Sequence, residues 1–372
     1  MAQASASARR GLRPAQAPVG LAKDGGPPGA WVVTFGEVMV RLSPPHFQRL
    51  EQASQLEMRA GGAEANVAVA LARLADQRGA RTAGRLGPRV RYVTRLPRNP
   101  LGRFLEDQVR LHGVDTSLIL WTDADRAPAA RAGLYFVEFG ANPRASAVYY
   151  DRAGSAMSRL KPGDVDWPKA FADARHFHTS GITPALSRSC REATGEALRV
   201  AKAAGLTVSM DLNYRAKLWS PRQARATMSE LLRLTDFLVT SESDSREVFG
   251  IAAADCRELA HRLVEAFGLK AVAVTTGAFI SQWRSQLTAV MLAEGTYYET
   301  RTYDLEIVDR LGTGDSCTAG FLWGWLRGEV QRGLDVGVAL GALKQSAPGD
   351  FPFATLEEAE ALARSSAKGV SR

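Results

Sequence analysis

The sequence predicts an α/β fold with a mostly parallel central sheet and helices on both of its faces. Short apolar runs alternate along the chain with longer helix-like segments; the runs lie at 32–35, 206–212, 237–240 and 271–275, and the segments at 189–204, 222–234 and 256–267. Such alternation is typical of strands joined by crossover helices, which makes the strands parallel. With 372 residues, of which 45% are hydrophobic, the chain can bury a substantial core.

The first strand is predicted at 31–36, a buried run that ends in glycine. A helix is predicted within 59–74, where Gly61 and Gly62 precede an apolar stripe that includes Val67, Leu71 and Leu74. A diglycine at a helix start lets backbone N–H groups face a polar ligand. Ligands of parallel sheets bind beyond the carboxyl ends of the strands, so we expect chemistry at the polar residues that follow each strand.

Two segments break the alternation. Residues 37–59 and 132–150 show strand-type patterning with no crossover helix between strands.

The most informative stretch is Asp309-Arg-Leu-Gly-Thr-Gly-Asp-Ser-Cys-Thr-Ala-Gly320. Gly312, Thr313 and Gly314 can direct successive N–H groups at one point, where the following helix presents its positive dipole end. We call these three residues the anion hole. Asp315 lies at its edge, where a carboxylate can accept a hydroxyl proton during phosphoryl transfer.

Other interpretations of this stretch differ in strength. No Gly-x-x-x-x-Gly-Lys-Ser/Thr loop occurs in the chain, and Cys317 stands where a dinucleotide fingerprint needs its third glycine. A structural turn before a helix stays open on these residues alone. So does a helix N-cap role for Asp315, because aspartate favours that position.

Together, these features resemble the ribokinase-like (PfkB) carbohydrate kinases, and within them the 2-dehydro-3-deoxygluconate kinases. Besides the diglycine and Gly-Thr-Gly-Asp motifs, the resemblance is carried by Phe177-His-Thr-Ser-Gly-Ile-Thr-Pro-Ala-Leu186, Asp211-Leu-Asn-Tyr-Arg-Ala-Lys-Leu-Trp219, Tyr150-Asp-Arg-Ala-Gly-Ser-Ala156 and Ala347-Pro-Gly-Asp-Phe351. It implies a three-layer αβα sandwich at 30–365, with a small β-lid formed by about 37–59 and 132–150. Lids of this kind often pair between subunits, which implies a homodimer or a higher homo-oligomer.

The resemblance also assigns the site. It makes Asp315 the catalytic base and implies ATP and Mg²⁺ as cofactors. The implied sugar contacts are Gly61, Gly62, Ala63, Asn66, Tyr135, Tyr150, Arg152 and Asp309. An arginine in the lid suits a substrate carboxylate, because a guanidinium grips a carboxylate with two hydrogen bonds. A surface ion pair is the alternative for Arg152.

On the nucleotide side, the resemblance implies ATP contacts at Asn213, Arg215, Thr276 and Gly277. Two departures from the family pattern weaken this side. The usual Asn-x-x-Glu metal motif falls at Ser241-Glu-Ser-Asp244, so Asp244 is either a magnesium-side residue or an ordinary acid at a helix start. The usual Lys-x-Gly-x-x-Gly turn is replaced by Thr275-Thr-Gly-Ala-Phe-Ile280, which leaves slower catalysis or a non-catalytic paralogue open.

Composition limits the setting and the partners. The net charge is +8, and residues 73–103 hold nine arginines and one acid, but no aromatic stacking platform of the kind that binds nucleic acid interleaves them. We therefore expect an arginine-rich surface loop near 84–92 and no nucleic-acid partner. No transmembrane run occurs, and the three cysteines form no Cys-x-x-Cys pair, which favours a reduced, cytoplasmic protein without a membrane partner.

The ends of the chain say little. Residues 1–29 lack a hydrophobic period and are predicted to be a disordered extension, with a transit peptide or a start-site artefact as alternatives; 366–372 form a short tail.

His176 and His178 share one face of a predicted strand, and packing with hydrogen bonding is favoured over metal binding because no third ligand is near in sequence.

The predicted function is ATP-dependent phosphorylation of the primary hydroxyl of 2-dehydro-3-deoxy-D-gluconate. A fructokinase- or ribokinase-type enzyme and a non-catalytic sugar- or nucleotide-binding paralogue are the alternatives.

Overall fold

The computed structural model describes residues 30–75, 89–123 and 130–364. The strands in these ranges are β1 (Ala30–Phe35), β2 (Met39–Ser43), β3 (Glu57–Gly61), β4 (Arg89–Val93), β5 (Arg95–Pro97), β6 (Leu120–Thr122), β7 (Gly133–Glu138), β8 (Ala147–Asp151), β9 (His176–Ser180), β10 (Thr207–Asp211), β11 (Phe237–Ser241), β12 (Ala271–Thr276), β13 (Phe279–Ser281), β14 (Arg284–Ala293), β15 (Thr296–Glu299) and β16 (Tyr303–Glu306). The helices there are α1 (Ala63–Ala75), α2 (Pro100–Arg110), α3 (Trp167–Phe171), α4 (Ile182–Ala185), α5 (Arg188–Ala203), α6 (Pro221–Leu232), α7 (Glu242–Phe249), α8 (Cys256–Phe267), α9 (Thr313–Trp325), α10 (Val330–Gln345) and α11 (Leu356–Arg364).

The helices predicted at 189–204, 222–234 and 256–267 start and stop within two residues of their observed bounds. Each begins at a polar residue whose side chain accepts a hydrogen bond from a backbone N–H three residues later: Ser187 for α5, Ser220 for α6 and Asp255 for α8. These caps satisfy N–H groups that have no partner inside the helix, so the helix start is fixed locally.

The main sheet has the order β13-β14-β12-β11-β10-β9-β1-β4, with β15 and β16 paired to β14. The six strands from β12 to β4 run parallel, and β14 joins them antiparallel. Strands such as β12, with Ala271, Val272, Ala273 and Val274 all fully buried, are apolar on both faces because helices cover both. The predicted parallel α/β sandwich is confirmed.

Each face of the main sheet has its own core. Successive residues of one strand, such as Val32 and Val33, belong to different cores because successive side chains point to opposite faces of the sheet. One core packs the sheet against α1, α2, α9, α10 and α11, and the other packs it against α3, α5, α6, α7 and α8. Helices α1 and α9 therefore lie on the same face of the sheet.

A second sheet of four strands, in the order β3-β2-β7-β8, forms the small lid. Its strands come from the two segments whose patterning lacked crossover helices. Strand β2 pairs with β3 antiparallel and with β7 parallel, so β2 lies at the centre of the lid. Because β3 ends at Gly61 and α1 begins at Ala63, the lid joins the main domain at the diglycine.

The prediction of a surface loop at 84–92 is wrong for its second half. Residues from Arg89 onward form β4, an outer parallel strand of the main sheet, in which Val90 and Tyr92 are buried. Arginines alternate there with apolar residues, which is the period of a half-buried strand, and the high arginine content of the region obscured that signal. Residues 84–88 lie outside the described residues, as do 1–29 and 366–372.

No helix within 30–75, 89–123 and 130–364 has both the length and the hydropathy needed to cross a membrane.

Candidate active site

The starts of α1 and α9 meet at a side-chain hydrogen bond. Asn66, in the first turn of α1, donates from Nδ2 to Oδ2 of Asp315, in the first turn of α9, over 2.6 Å. Oδ1 of the same Asn66 accepts from the N–H of Gly62 at 3.3 Å. The amide side chain therefore fixes the diglycine and the carboxylate relative to each other, and two motifs that are 249 residues apart form one site.

Burial controls the protonation of Asp315. Removal from water raises the pKa of this carboxyl to about 7, although the hydrogen bond from Asn66 and the charge of Arg215 favour its ionised form. A base with a pKa near the working pH combines a useful ionised fraction with useful basicity. Asp315 is not the N-cap of α9, which is Gly312, so the N-cap alternative is wrong.

The backbone of the anion hole agrees with the motif in part. Gly312 has φ of +82°, and a Cβ at this position would lie 2.0 Å from the carbonyl oxygen of Asp350, so only glycine fits. Gly314 is exposed, with open space where a Cβ would be. The N–H of Thr313 bonds to the carbonyl of Arg310 at 3.3 Å, whereas no hydrogen bond among the described residues uses the N–H groups of Gly312, Gly314 or Asp315. The unpaired donors thus differ from the predicted set, with Asp315 in place of Thr313.

The sugar side is formed where the lid meets the main domain. Gly62 and Ala63 are half-buried at the start of α1, beside the Asn66–Asp315 pair. Gly61, the last residue of lid strand β3, is buried, and a Cβ there would lie 2.0 Å from the hydroxyl of Tyr135 on β7. A side chain at Gly61 would therefore displace Tyr135.

The three predicted lid contacts, Tyr135, Tyr150 and Arg152, differ in their exposure and in their partners. Tyr150 is partly exposed, and its ring stacks on that of Tyr135 with centroids 5.9 Å apart. The hydroxyl of Tyr135 is buried and donates to Oδ2 of Asp350 at 2.8 Å. Arg152 is buried, and its Nε and Nη2 bind Oε2 of Glu37 at 2.8 and 2.5 Å. Glu37 also accepts from the hydroxyl of Ser155. The surface ion pair suggested for Arg152 is wrong, because this pair is buried.

The structure argues against Asp309 as a substrate contact. Its side chain is 1% exposed, and Oδ2 lies 2.6 Å from Arg41. Oδ2 also accepts from Gly349 N–H, and Oδ1 accepts from Leu311 N–H. Both oxygens therefore hold the protein's own loops.

Arg41 joins two carboxylates beneath the site. It contacts Asp309 at 2.6 Å and Asp350 at 2.7 Å, and Asp350 accepts in turn from Tyr135. We call Arg41, Tyr135, Asp309 and Asp350 the buried charge cluster. Arg41 comes from β2, so the cluster links the lid to the anion-hole loop. Asp350 lies within one of the motifs that carry the family resemblance. No sequence signal marks Arg41, because its neighbours resemble those of any arginine in a strand.

A cleft of about 540 Å³ lies on the other side of the anion hole. Its lining includes Thr313 and two of the four predicted ATP contacts, Thr276 and Gly277. A Cβ at Gly277 would lie 1.9 Å from the carbonyl oxygen of Gln286, so this turn keeps its glycine although the lysine of the usual motif is absent. Sequence reasoning gave no nucleotide role to several other lining residues. Ser241, Glu242, Phe279 and Arg310 lie within motifs quoted above, whereas Arg246 and Gln286 lie outside any motif.

The other two predicted nucleotide contacts, Asn213 and Arg215, follow strand β10. Asn213 has φ of +40°, and its N–H binds Oδ1 of Asp211 at 3.1 Å. Arg215 is half-buried, and its charge acts on the carboxyls of Asp211, Asp244 and Asp315. Burial and the nearby charges of Asp315 and Asp244 raise the pKa of Asp211 well above its usual range.

Asp244 is the predicted magnesium-side residue. Its Oδ2 accepts from the N–H of Tyr214 at 3.1 Å, and its own N–H donates to the cap residue Ser241. Burial raises the pKa of this carboxyl. Within the described ranges, no three acidic, histidine or cysteine side chains are grouped as a metal cage. That fits Mg²⁺, which is usually bound by one or two carboxylates together with substrate phosphates and water.

His176 and His178 take part in hydrogen bonding inside the core, as predicted. His176 bonds to the hydroxyls of Thr207 and Ser209, and His178 bonds to Ser209. Burial lowers the pKa of each imidazole to about 3, so both are neutral.

Comparison with known proteins identifies the family. Residues 30–354 match the description "pfkB family carbohydrate kinase". The chain belongs to the pfkB family. It is therefore a carbohydrate kinase, a phosphotransferase that acts on an alcohol group with ATP and Mg²⁺.

Three relatives of this pfkB kinase share most of its length. It is 40% identical over 344 residues to a 2-dehydro-3-deoxygalactonokinase of Haloferax volcanii, covering 92% of this chain and 99% of the relative. It is 30% identical to a 2-dehydro-3-deoxygluconokinase of Bacillus subtilis, covering 86% of this chain and 90% of the relative. The crystal structure of 2-dehydro-3-deoxygluconokinase from Thermotoga maritima is 37% identical, with a TM-score of 0.83 and coverage of 91% and 99%.

Proposed function

We propose that this pfkB kinase transfers the γ-phosphoryl group of ATP to the primary hydroxyl of a 2-dehydro-3-deoxy sugar acid. The observation that carries the proposal is the Asn66–Asp315 hydrogen bond of 2.6 Å, which sets a buried carboxylate between the diglycine and the anion hole. A sugar hydroxyl at the diglycine and a phosphate at the anion hole would then approach each other at Asp315.

In the proposed mechanism, Asp315 accepts the proton of the sugar hydroxyl as its oxygen attacks the γ-phosphorus. Backbone N–H groups of Gly312, Gly314 and Asp315 stabilise the charge on the transferring phosphoryl group. Arg215 adds a positive charge on the nucleotide side. Asp244 and Asp211 are the residues that would hold Mg²⁺, which would neutralise phosphate charge when bound.

The proposed substrate class follows from the relatives and from the lid. All three relatives described above are named as kinases of 2-dehydro-3-deoxy sugar acids. Arg152 is held in place by Glu37 through two of its nitrogens, which leaves Nη1 without a hydrogen bond among the described residues. We propose that this side of the guanidinium faces the substrate carboxylate. Two stereoisomers are candidates for the substrate. The family resemblance in the sequence favours the gluconate compound, and the 40% identity to a 2-dehydro-3-deoxygalactonokinase makes the galactonate compound the second candidate.

The test of the substrate is a steady-state assay of ADP release with Mg·ATP. We expect kcat/KM for 2-dehydro-3-deoxygluconate or its galactonate isomer to exceed that for fructose and ribose by a factor on the order of 100, because a neutral sugar leaves the carboxylate site unpaired. Turnover with fructose or ribose alone would keep the kinase mechanism and reject the sugar acid. No turnover with any sugar would favour the non-catalytic paralogue.

The pH dependence tests the base. Burial favours the neutral acid and raises the pKa of Asp315 from 3.8 to about 7, so the ionised form is lost as the pH falls through this value. We expect kcat/KM to reach a plateau above pH 7 and to be about tenfold lower at pH 6. Asn66→Ala removes a hydrogen bond that favours the ionised form, so its midpoint should move to higher pH. A flat profile from about pH 5.5 to 8 in the wild type would contradict the assignment.

The predicted homodimer or higher homo-oligomer is a proposal that sedimentation of the purified chain can test.

A further inference from the structure

Lys344 is a buried lysine that the proposed chemistry does not use. It lies in the last turn of α10 and is 1% exposed. Its Nζ donates to two backbone carbonyl oxygens, that of Asp309 at 2.9 Å and that of Ala347 at 3.0 Å. A lysine is seldom fully buried unless its ammonium group is paired, so these two acceptors explain its position.

The two acceptors belong to the two loops that form the base of the anion hole. One loop runs from Asp309 to Gly312, and the other runs from Ala347 to Asp350. The N–H groups of Val308 and Asp309 both bond to the carbonyl of Gln345, at 2.8 and 3.1 Å. These loops are also in direct contact at Gly312, whose Cα faces the carbonyl of Asp350.

The contacts of Lys344 differ in kind from those of Arg41. Arg41 pairs with the carboxylates of Asp309 and Asp350 and comes from the lid. Lys344 binds backbone carbonyls and comes from the main domain. Loss of Lys344 would remove this donor from one carbonyl oxygen in each loop, the buried carbonyl of Asp309 and the partly buried carbonyl of Ala347. The loops could recover hydrogen bonds only by moving or by admitting water, and either change would displace Gly312 and the donors that follow it.

We propose that Lys344 is a positioning residue that joins the two loops and so fixes the anion hole for phosphoryl transfer. This inference rests on the proposed function, because it assigns the phosphoryl group to the anion hole. Lys344 does not touch the sugar or ATP. Its effect should therefore fall on the chemical step, where a displacement of about 1 Å in a catalytic group can cost on the order of a hundredfold in rate.

The experiment compares Lys344→Met with the wild type and with Lys202→Met. Methionine keeps much of the buried volume and removes the donor. Lys202 pairs with Asp236 near the start of β11, away from the anion hole, so its variant controls for the loss of a lysine contact elsewhere in the domain. We expect kcat of Lys344→Met to fall by a factor on the order of 10 to 100, with KM for the sugar acid close to that of the wild type. Lys202→Met should keep both values.

A second measurement does not depend on turnover. Hydrogen exchange in Lys344→Met should be faster in peptides that cover 308–316 and 345–350, and unchanged in α5 and α8. Wild-type exchange in both loops, or faster exchange throughout the domain, would overturn the proposal, as would a rise in KM at unchanged kcat. If the wild type phosphorylates no sugar acid, the proposed function fails, and hydrogen exchange still decides the role of Lys344.

Discussion

Asp315→Asn is expected to lower kcat by a factor on the order of 10³, with little change in the Kd for ATP. Asparagine has nearly the same shape and can still accept the hydrogen bond that Asn66 donates at 2.6 Å. What it loses is the ability to take a proton from the sugar hydroxyl. Single-turnover phosphorylation measures the chemical step, and calorimetry with ATP measures binding separately.

A matched control for this variant is Asp335→Asn. Asp335 is a partly buried acid on α10 that bonds to Gln331, one turn earlier, and lies outside the proposed site. Its variant should keep wild-type kcat. Wild-type activity in Asp315→Asn would reject the proposed base, and a large loss of ATP affinity would assign Asp315 to nucleotide binding instead.

Arg41→Met is expected to lower the free energy of unfolding by about 3–5 kcal/mol. Arg41 is 1% exposed and contacts Asp309 and Asp350 at 2.6 and 2.7 Å. Removing the cation leaves two buried carboxylates close together without the ion-pair partner that contacts them both. Urea unfolding followed by circular dichroism measures the loss, and activity should fall with it because the cluster joins the lid to the anion-hole loop.

Two further variants make this expectation specific. Arg188→Met removes an arginine whose side chain is 90% exposed and pairs with Glu192, and it should change the free energy of unfolding by less than about 1 kcal/mol. Adding Asp350→Asn to Arg41→Met should cost less than the sum of the single changes, because it removes one of the two unpaired charges. Additive losses would show that Arg41 stabilises the fold by packing and not by pairing.

Much of the fold could be predicted because its signals are local. The apolar run at β12 and the capped starts of α5, α6 and α8 depend on residues within a few positions of each other. Strand β4 was missed because arginines occupy its exposed positions, and its buried face, with Val90 and Tyr92, is too short to stand out.

The candidate site divides in the same way. The sequence by itself determined the elements that a motif can encode: the diglycine before α1, the glycine with positive φ before α9, and the carboxylate of Asp315 beside it. Only the tertiary structure decided which charges meet. Arg41 and Asp350 are 309 residues apart, and Lys344 reaches two loops through their backbone carbonyls. Such pairings depend on which groups lose water together on folding, and no local pattern of side chains records that.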